Sequence, residues 1–152
     1  MWSVYDYTDF PTVNVHFIGS LRNDTDYNNF IDKWIELYNQ ERYFKFIFNT
    51  KDCGYVNIKY AFRMTSFIKK LKRRNKQYLQ SSVIIYYSGW IKFLLRSIFS
   101  IQSPVANVYL INGNNLTFEK RKNIDKGILP DDTLIYFPSI TTLTKNQQDN
   151  NK

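Results

Sequence analysis

One cysteine, Cys53, and one histidine, His16, are all that this chain of 152 residues holds of either type. A lone cysteine closes no internal disulfide, so no covalent staple is available and a reducing compartment fits best. Nor do one His and one Cys make the N/S ligand set of a zinc site, which needs at least three protein ligands. The five glycines stand singly, and neither GxGxxG nor GxxxxGK(S/T) occurs, so the phosphate-cradling loops of nucleotide enzymes are missing. No run approaches the ~20 apolar residues of a membrane-spanning helix. The opening MWSVYDYTDF is acidic and aromatic, unlike a signal or transit peptide. These absences point to a cytoplasmic location or another soluble space.

Aromatic residues are plentiful where alanine is scarce. Twelve Tyr, 12 Phe and 3 Trp make up 18% of the chain, which leaves two readings open: codon bias in an A+T-rich genome, or a surface of stacking rings. Net charge is +8 and the isoelectric point about 9.5. That balance speaks of partners (nucleic acid, anionic lipid or an acidic protein) rather than of fold. At 18.3 kDa the chain is one domain, large enough for a real core.

Four short apolar runs, at 13–18, 43–48, 82–87 and 105–111, alternate with three stretches of helical period. Strands that alternate with helices favour a sheet with parallel neighbours and crossover helices packed on it. The first helix, about 26–40, follows the N-cap candidates of Asn23-Asp24-Thr25-Asp26 and carries Tyr27, Phe30, Ile31, Trp34, Leu37 and Tyr38 on one stripe. The second, about 57–79, turns Ala61, Met64, Thr65, Ile68, Leu71 and Leu79 inward. Its outer side collects Lys59, Arg63, Lys70, Arg73 and Arg74, with Lys69, Lys72 and Lys76 on the flanks. The third, about 90–101, buries Trp90, Ile91, Leu94, Ile98 and Ile101 and leaves Phe93 and Phe99 near its margins. Residues 1–12 read as an irregular lead-in, 13–140 as a single domain and 141–152 as a disordered polar tail. Within 114–140, the stretch 133–137 reads as an edge strand or an extended packing segment.

From Ile18 onward the layout resembles the STAS domain of bacterial anti-sigma-factor antagonists and sulfate-transporter tails. Ile18-Gly19-Ser20-Leu21 followed by 24–38 is similar to that family's opening strand and capped helix, and 49–61 occupies the loop into its main helix. The resemblance covers about 13–112 and is a pattern of elements more than of side chains. The lipid-binding lobe of the CRAL-TRIO family has a related layout and competes with it. STAS antagonists carry Asp-Ser-Ser-Gly at the start of the main helix, with one serine phosphorylated; here Asn57-Ile58-Lys59-Tyr60 stands there. The resemblance therefore implies a STAS-like α/β fold: a mixed, mainly parallel sheet of four or five strands with helices chiefly on one face. It also implies docking without the phosphoserine switch.

No catalytic, cofactor-binding or metal-ligating residue is nominated, and no cofactor is expected. Asp131-Asp132 and Asp24/Asp26 sit in turn and cap contexts, and Cys53 meets His16 only if folding joins them. The basic run 69–76 reads as a solvated helix end, as a surface for acidic protein or anionic lipid, or as a contact for nucleic acid. The expected function is a non-enzymatic protein-interaction or scaffolding module. Its candidate partner-binding residues are Lys59, Arg63, Lys69, Lys70, Arg73, Arg74, Phe93 and Phe99. The alternative is a binder of anionic lipid, which needs an apolar pocket lined by Phe62, Phe67, Phe93 or Phe99. A protein partner is expected first, anionic lipid second and nucleic acid third, and a homodimer is left open. The composition resembles that of chains from large DNA viruses or A+T-rich protists, for which the location becomes host cytoplasm or virion.

Overall fold

The computed structural model describes residues 1–139; the expected disordered tail, 141–152, lies outside them. The alternation of Val13, Val15 and Phe17 with Thr12, Asn14 and His16 makes a strand with one buried face. In chain order the elements are β1 (Ser3–Asp6), β2 (Thr12–Phe17), β3 (Gly19–Leu21), α1 (Asp24–Asn39), β4 (Phe44–Asn49), β5 (Cys53–Val56), α2 (Ile58–Lys72), β6 (Leu79–Tyr86), α3 (Gly89–Ile101), β7 (Asn107–Asn112), α4 (Phe118–Asp125) and β8 (Leu134–Tyr136). Six strands form one sheet in the order β1-β2-β4-β6-β7-β8, and β3 pairs with β5 in a separate ribbon.

The sheet is mixed, not mainly parallel, and has six strands where four or five were expected. The two edge pairings, β1 with β2 and β7 with β8, are antiparallel, and the three between them are parallel. The miss at one edge is residues 1–12: Ser3–Asp6 is a strand, and Trp2 and Tyr5 join the core.

Each parallel strand is laid on the same side of the one before it. Since β-α-β crossovers share one hand, steps in one direction put every crossover helix on one face of the sheet. The burial agrees. The row Tyr5–Val15–Phe48–Ile84–Leu110–Leu134 runs across all six strands on the helix side. It packs with Trp34 of α1, Ile68 of α2 and Leu94 of α3 in one cluster. The next row, Asp6–Asn14–Ile47–Val83–Tyr109–Ile135, faces the other way, with polar residues at its β1 end and a 45% exposed Ile135 at its β8 end.

Rings dominate the helix side. Trp34 meets Phe46 at 4.9 Å, Phe46 meets Phe48 at 4.6 Å and Phe48 meets Phe17 at 5.8 Å between centroids. Much of the aromatic excess is therefore core, where each ring buries a large area.

Helix ends follow local chemistry. Asn23 caps α1 by accepting from the Asp26 N–H, and Asp24 and Asp26 complement the positive end of the dipole. Helix α2 stops at Lys72, well short of the expected 79: Arg73 is its C-cap, and Gln77 and Tyr78 turn inward to open β6. Leu79 is thus a strand residue. Tyr60, absent from the expected stripe, is almost fully buried. Ile101, expected inside, is 61% exposed at the end of α3.

Asp24 ties α1 to α2. The Tyr60 hydroxyl donates to it at 3.0 Å and the Arg63 guanidinium at 2.8 Å. The Tyr60 hydrogen bond, helped by Arg63 and Lys59, holds the Asp24 carboxyl below its usual range. Whatever stability it lends is complete above the ordinary carboxylate value of about 3.9 and is lost as pH falls through the lowered one. A carboxyl-detected NMR titration should place Asp24 below that ordinary value, and Tyr60→Phe should move it back up; an unshifted Asp24 contradicts the tie. At the other end of α1, Glu41 sits at φ 55°, a left-handed conformation that suits glycine. Glu41→Gly should raise stability by about 0.5–1 kcal/mol in urea unfolding; a loss would show the Glu41 side chain to matter more than its backbone.

Candidate docking surface

The side chains best placed to meet a partner lie where β5 meets the start of α3. Gly54 makes the β3–β5 ribbon possible: a Cβ there would stand 2.6 Å from Ser20 Oγ and 3.2 Å from Ser20 N. The ribbon carries Tyr55 outward. Ser88 caps α3 by accepting from the Ile91 N–H at 3.2 Å, which sets Trp90 in the first turn. The Trp90 indole N–H donates to the Val56 carbonyl at 3.0 Å and fixes the ring against β5. Tyr55 and Trp90 then stack at 6.0 Å with planes 8° apart, and Phe93, three residues on, stacks on Trp90 at 5.6 Å. Arg22 adds a guanidinium 5.2 Å from the Tyr55 ring centroid.

These rings are in water. Tyr55 is 45% exposed, Trp90 37% and Phe93 53%, and Ile58 and Phe62, neighbours at i and i+4 on α2, are 42% and 55% exposed. Only Asn57 separates Ile58 from Val56, the acceptor of the Trp90 bond. Preorganised aromatic rings of this kind, amphipathic and low in conformational entropy, are the side chains that anchor interfaces. Residues 53–118 contain no Asp or Glu, while they hold ten Lys and Arg. Lys59, Arg63, Lys92 and Arg96 come from the helices around the rings.

The eight residues nominated from the sequence do not form one site. Lys59 and Arg63 stand near the ladder, both engaged by Asp24, with Arg63 also 4.6 Å from the Tyr27 ring centroid. Lys69 and Lys70 lie in the last turn of α2, about 15–17 Å along the axis from Lys59 at 1.5 Å per residue, and Arg73 and Arg74 follow just past the helix end. Arg74 stacks on Tyr38 at 5.6 Å. Phe93 is in the ladder. Phe99 is not: it is half-buried and packs on Tyr136 of β8 at 5.1 Å. Trp90, expected inside, is on the surface, turned toward the β3–β5 ribbon by its hydrogen bond to the Val56 carbonyl.

Tyr55, Trp90, Ile58 and Arg22 were not nominated. The 66-residue gap in acidic residues from 53 to 118 was the available signal, and Tyr55, Ile58 and Trp90 lie inside it.

Other chemistry is sparse. His16 Nε2 pairs with Asp52 Oδ2 at 2.7 Å, not with Cys53. Burial pushes the Cys53 thiol up, opposed by the Trp2 indole N–H, so a reactive thiolate is disfavoured. Among the described residues no three His, Cys, Asp or Glu gather as a metal site, and no helix is long and apolar enough to cross a membrane. A cavity of about 150 Å³ lies between helices and sheet, lined by Phe99 but not by Phe62, Phe67 or Phe93. Pockets for drug-sized ligands run to about 300–1,000 Å³, so this one is small for an acyl chain. Compared with protein-family models, curated proteins and solved structures, the chain matches none.

Proposed function

We propose that this chain is a non-enzymatic protein-docking module of STAS-like layout, and that Tyr55, Trp90 and Phe93, flanked by Ile58 and Phe62, form its docking surface. The observation that carries this reading is the exposed ladder itself. Three stacked rings held by the Trp90–Val56 hydrogen bond have little conformational freedom left to lose on binding. The partner is an acidic protein surface with an apolar centre, because α3 brings Lys92 and Arg96 and no carboxylate, while Lys59 and Arg63 of α2 are shared with Asp24.

The STAS-like reading draws support from the element order. β2 and the short β3 at Gly19–Leu21 precede a capped helix, and β4, α2, β6, α3 and β7 follow in the family's order, with β5 as an addition between β4 and α2. At the start of α2, where that family places its phosphorylated serine, Asn57 is the N-cap and the Tyr60 hydroxyl is spent on Asp24. A module built this way docks through shape, rings and charge rather than by a phosphate switch. The lipid alternative is less well supported, since the cavity is small and the cations at the far end of α2 lie away from the exposed rings.

Phe93→Ser should leave stability within about 0.5 kcal/mol, as exposed sites do, and should weaken binding to partners isolated from native lysate by about 30-fold, as loss of an aromatic anchor does. Affinity by titration calorimetry, with Lys70→Glu/Arg73→Glu as the comparison, checks this. If the charge reversal abolishes binding while Phe93→Ser leaves it intact, the surface is the end of α2 instead. Native mass measurement reads the same variant: a dimer lost on Phe93→Ser makes the partner a second copy. Equal binding of both variants to anionic vesicles, without any protein partner, contradicts the proposal.

A further inference from the structure

The cavity behind the helices has a chemistry that close packing alone does not call for. It lies between α1, α2 and α3 on one side and the helix-facing side of the sheet on the other, with Ala61, Ala106, Ile98 and Leu94 in its wall. Small side chains at 61 and 106, the two alanines of the chain, leave the space that larger neighbours would fill. The lining is apolar apart from a few groups. The Thr50 hydroxyl is already spent on the Ile85 carbonyl at 2.7 Å. Trp2 has only the Cys53 thiol, a weak acceptor, beside its indole N–H.

Trp34 is different. It is 5% exposed and lines the cavity, and its indole N–H finds no acceptor among the described residues. Buried donors are nearly always paired, so an unpaired one beside an empty space asks what would fill it. Ser82 lines the same cavity from β6; it is the register partner of Phe46, and the Trp34 ring packs on Phe46 at 4.9 Å. Serine is an unusual choice in a row of the sheet otherwise given to aromatic and aliphatic side chains. Water answers poorly, because a buried water needs two to four polar partners and this wall is almost wholly apolar.

We infer that the cavity is a binding site for a small, neutral, mainly apolar molecule that carries one hydrogen-bond acceptor, received by the Trp34 indole N–H. An apolar cavity of about this volume takes up a molecule the size of benzene, which sets the upper size of the guest near a single six-membered ring with one substituent. Charged ligands are excluded, since no ionised side chain lines the cavity to offset their desolvation. The site is separate from the ladder of Tyr55, Trp90 and Phe93, and neither requires the other.

Toluene and benzonitrile are suitable probes, alike in size and differing in the nitrile acceptor. Titrated into the full chain and followed by the indole N–H resonances in nitrogen-edited NMR, both should bind saturably. Benzonitrile should bind about threefold to tenfold more tightly, the worth of one net hydrogen bond, and should move the Trp34 indole signal downfield. Trp34→Phe should erase the difference between the probes, and Ala106→Leu should abolish both. The comparison of the two probes on the unaltered chain needs no variant to fold. Absence of saturable binding by either probe overturns the inference. So does equal affinity for the two, which would mean that the Trp34 N–H is satisfied by the ring faces packed around it.

Discussion

The direction in which the sheet grows decides most of this molecule. From β2 to β4, β6 and β7 each new strand is added on the same side, and a sheet that grows only one way needs all its crossovers on one face. One face of the sheet therefore carries the helix-covered core, while on the other face burial is confined to the middle strands, at Ile47, Ile85 and Ile111. Doubly wound folds reverse direction once, and the crevice at that reversal is where they bind nucleotides. The parallel strands here never reverse, so that crevice does not arise, and the features left to consider are the rim of the sheet, the outer faces of the helices and the space within the core.

That rim is built where the parallel strands end. The β3–β5 ribbon and the first turn of α3 both extend past the ends of β2, β4 and β6, which is why Tyr55 and Trp90 can stack outside the core that holds Trp2 and Trp34. A single hydrogen bond from Trp90 to Val56 joins the ribbon to the helix. The same arrangement explains how a chain so rich in rings sorts them: those on the helix-facing rows pack at centroid distances of 4.4–6.2 Å, while the ladder of Tyr55, Trp90 and Phe93 stays on the surface. Charge follows a similar division, with carboxylates on α1 and cations alone on α2 and α3.

Much of the framework was legible in the residues. Alternation at Val13, Val15 and Phe17, the cap at Asn23 and the stripe from Tyr27 to Tyr38 each express one local rule, and the structure keeps all three. What was not legible depends on partners distant in sequence. Ser3–Asp6 is a strand because β2 lies beside it, and nothing within MWSVYD says so. The β3–β5 ribbon joins three residues to four across a separation that no local pattern carries. The sequence reading carries α2 too far because Arg73, Arg74 and Lys76 are good helix formers by themselves; the burial of Gln77 and Tyr78, which opens β6, overrides that preference. The same long-range character hid the site. Trp90 has the period of a core residue and is exposed only because of where α3 begins, and Phe99 is covered by a strand more than thirty residues later.

Cross-strand nuclear Overhauser contacts test the one-way sheet most directly. Parallel pairing in this order places the backbone of Phe46 between those of Val13 and Ser82, and that of Ser82 beside Val108. Those contacts, with the spacing of parallel neighbours, are the expected result. Antiparallel contacts among these strands, or Val108 found next to Val13, would contradict the account at its root.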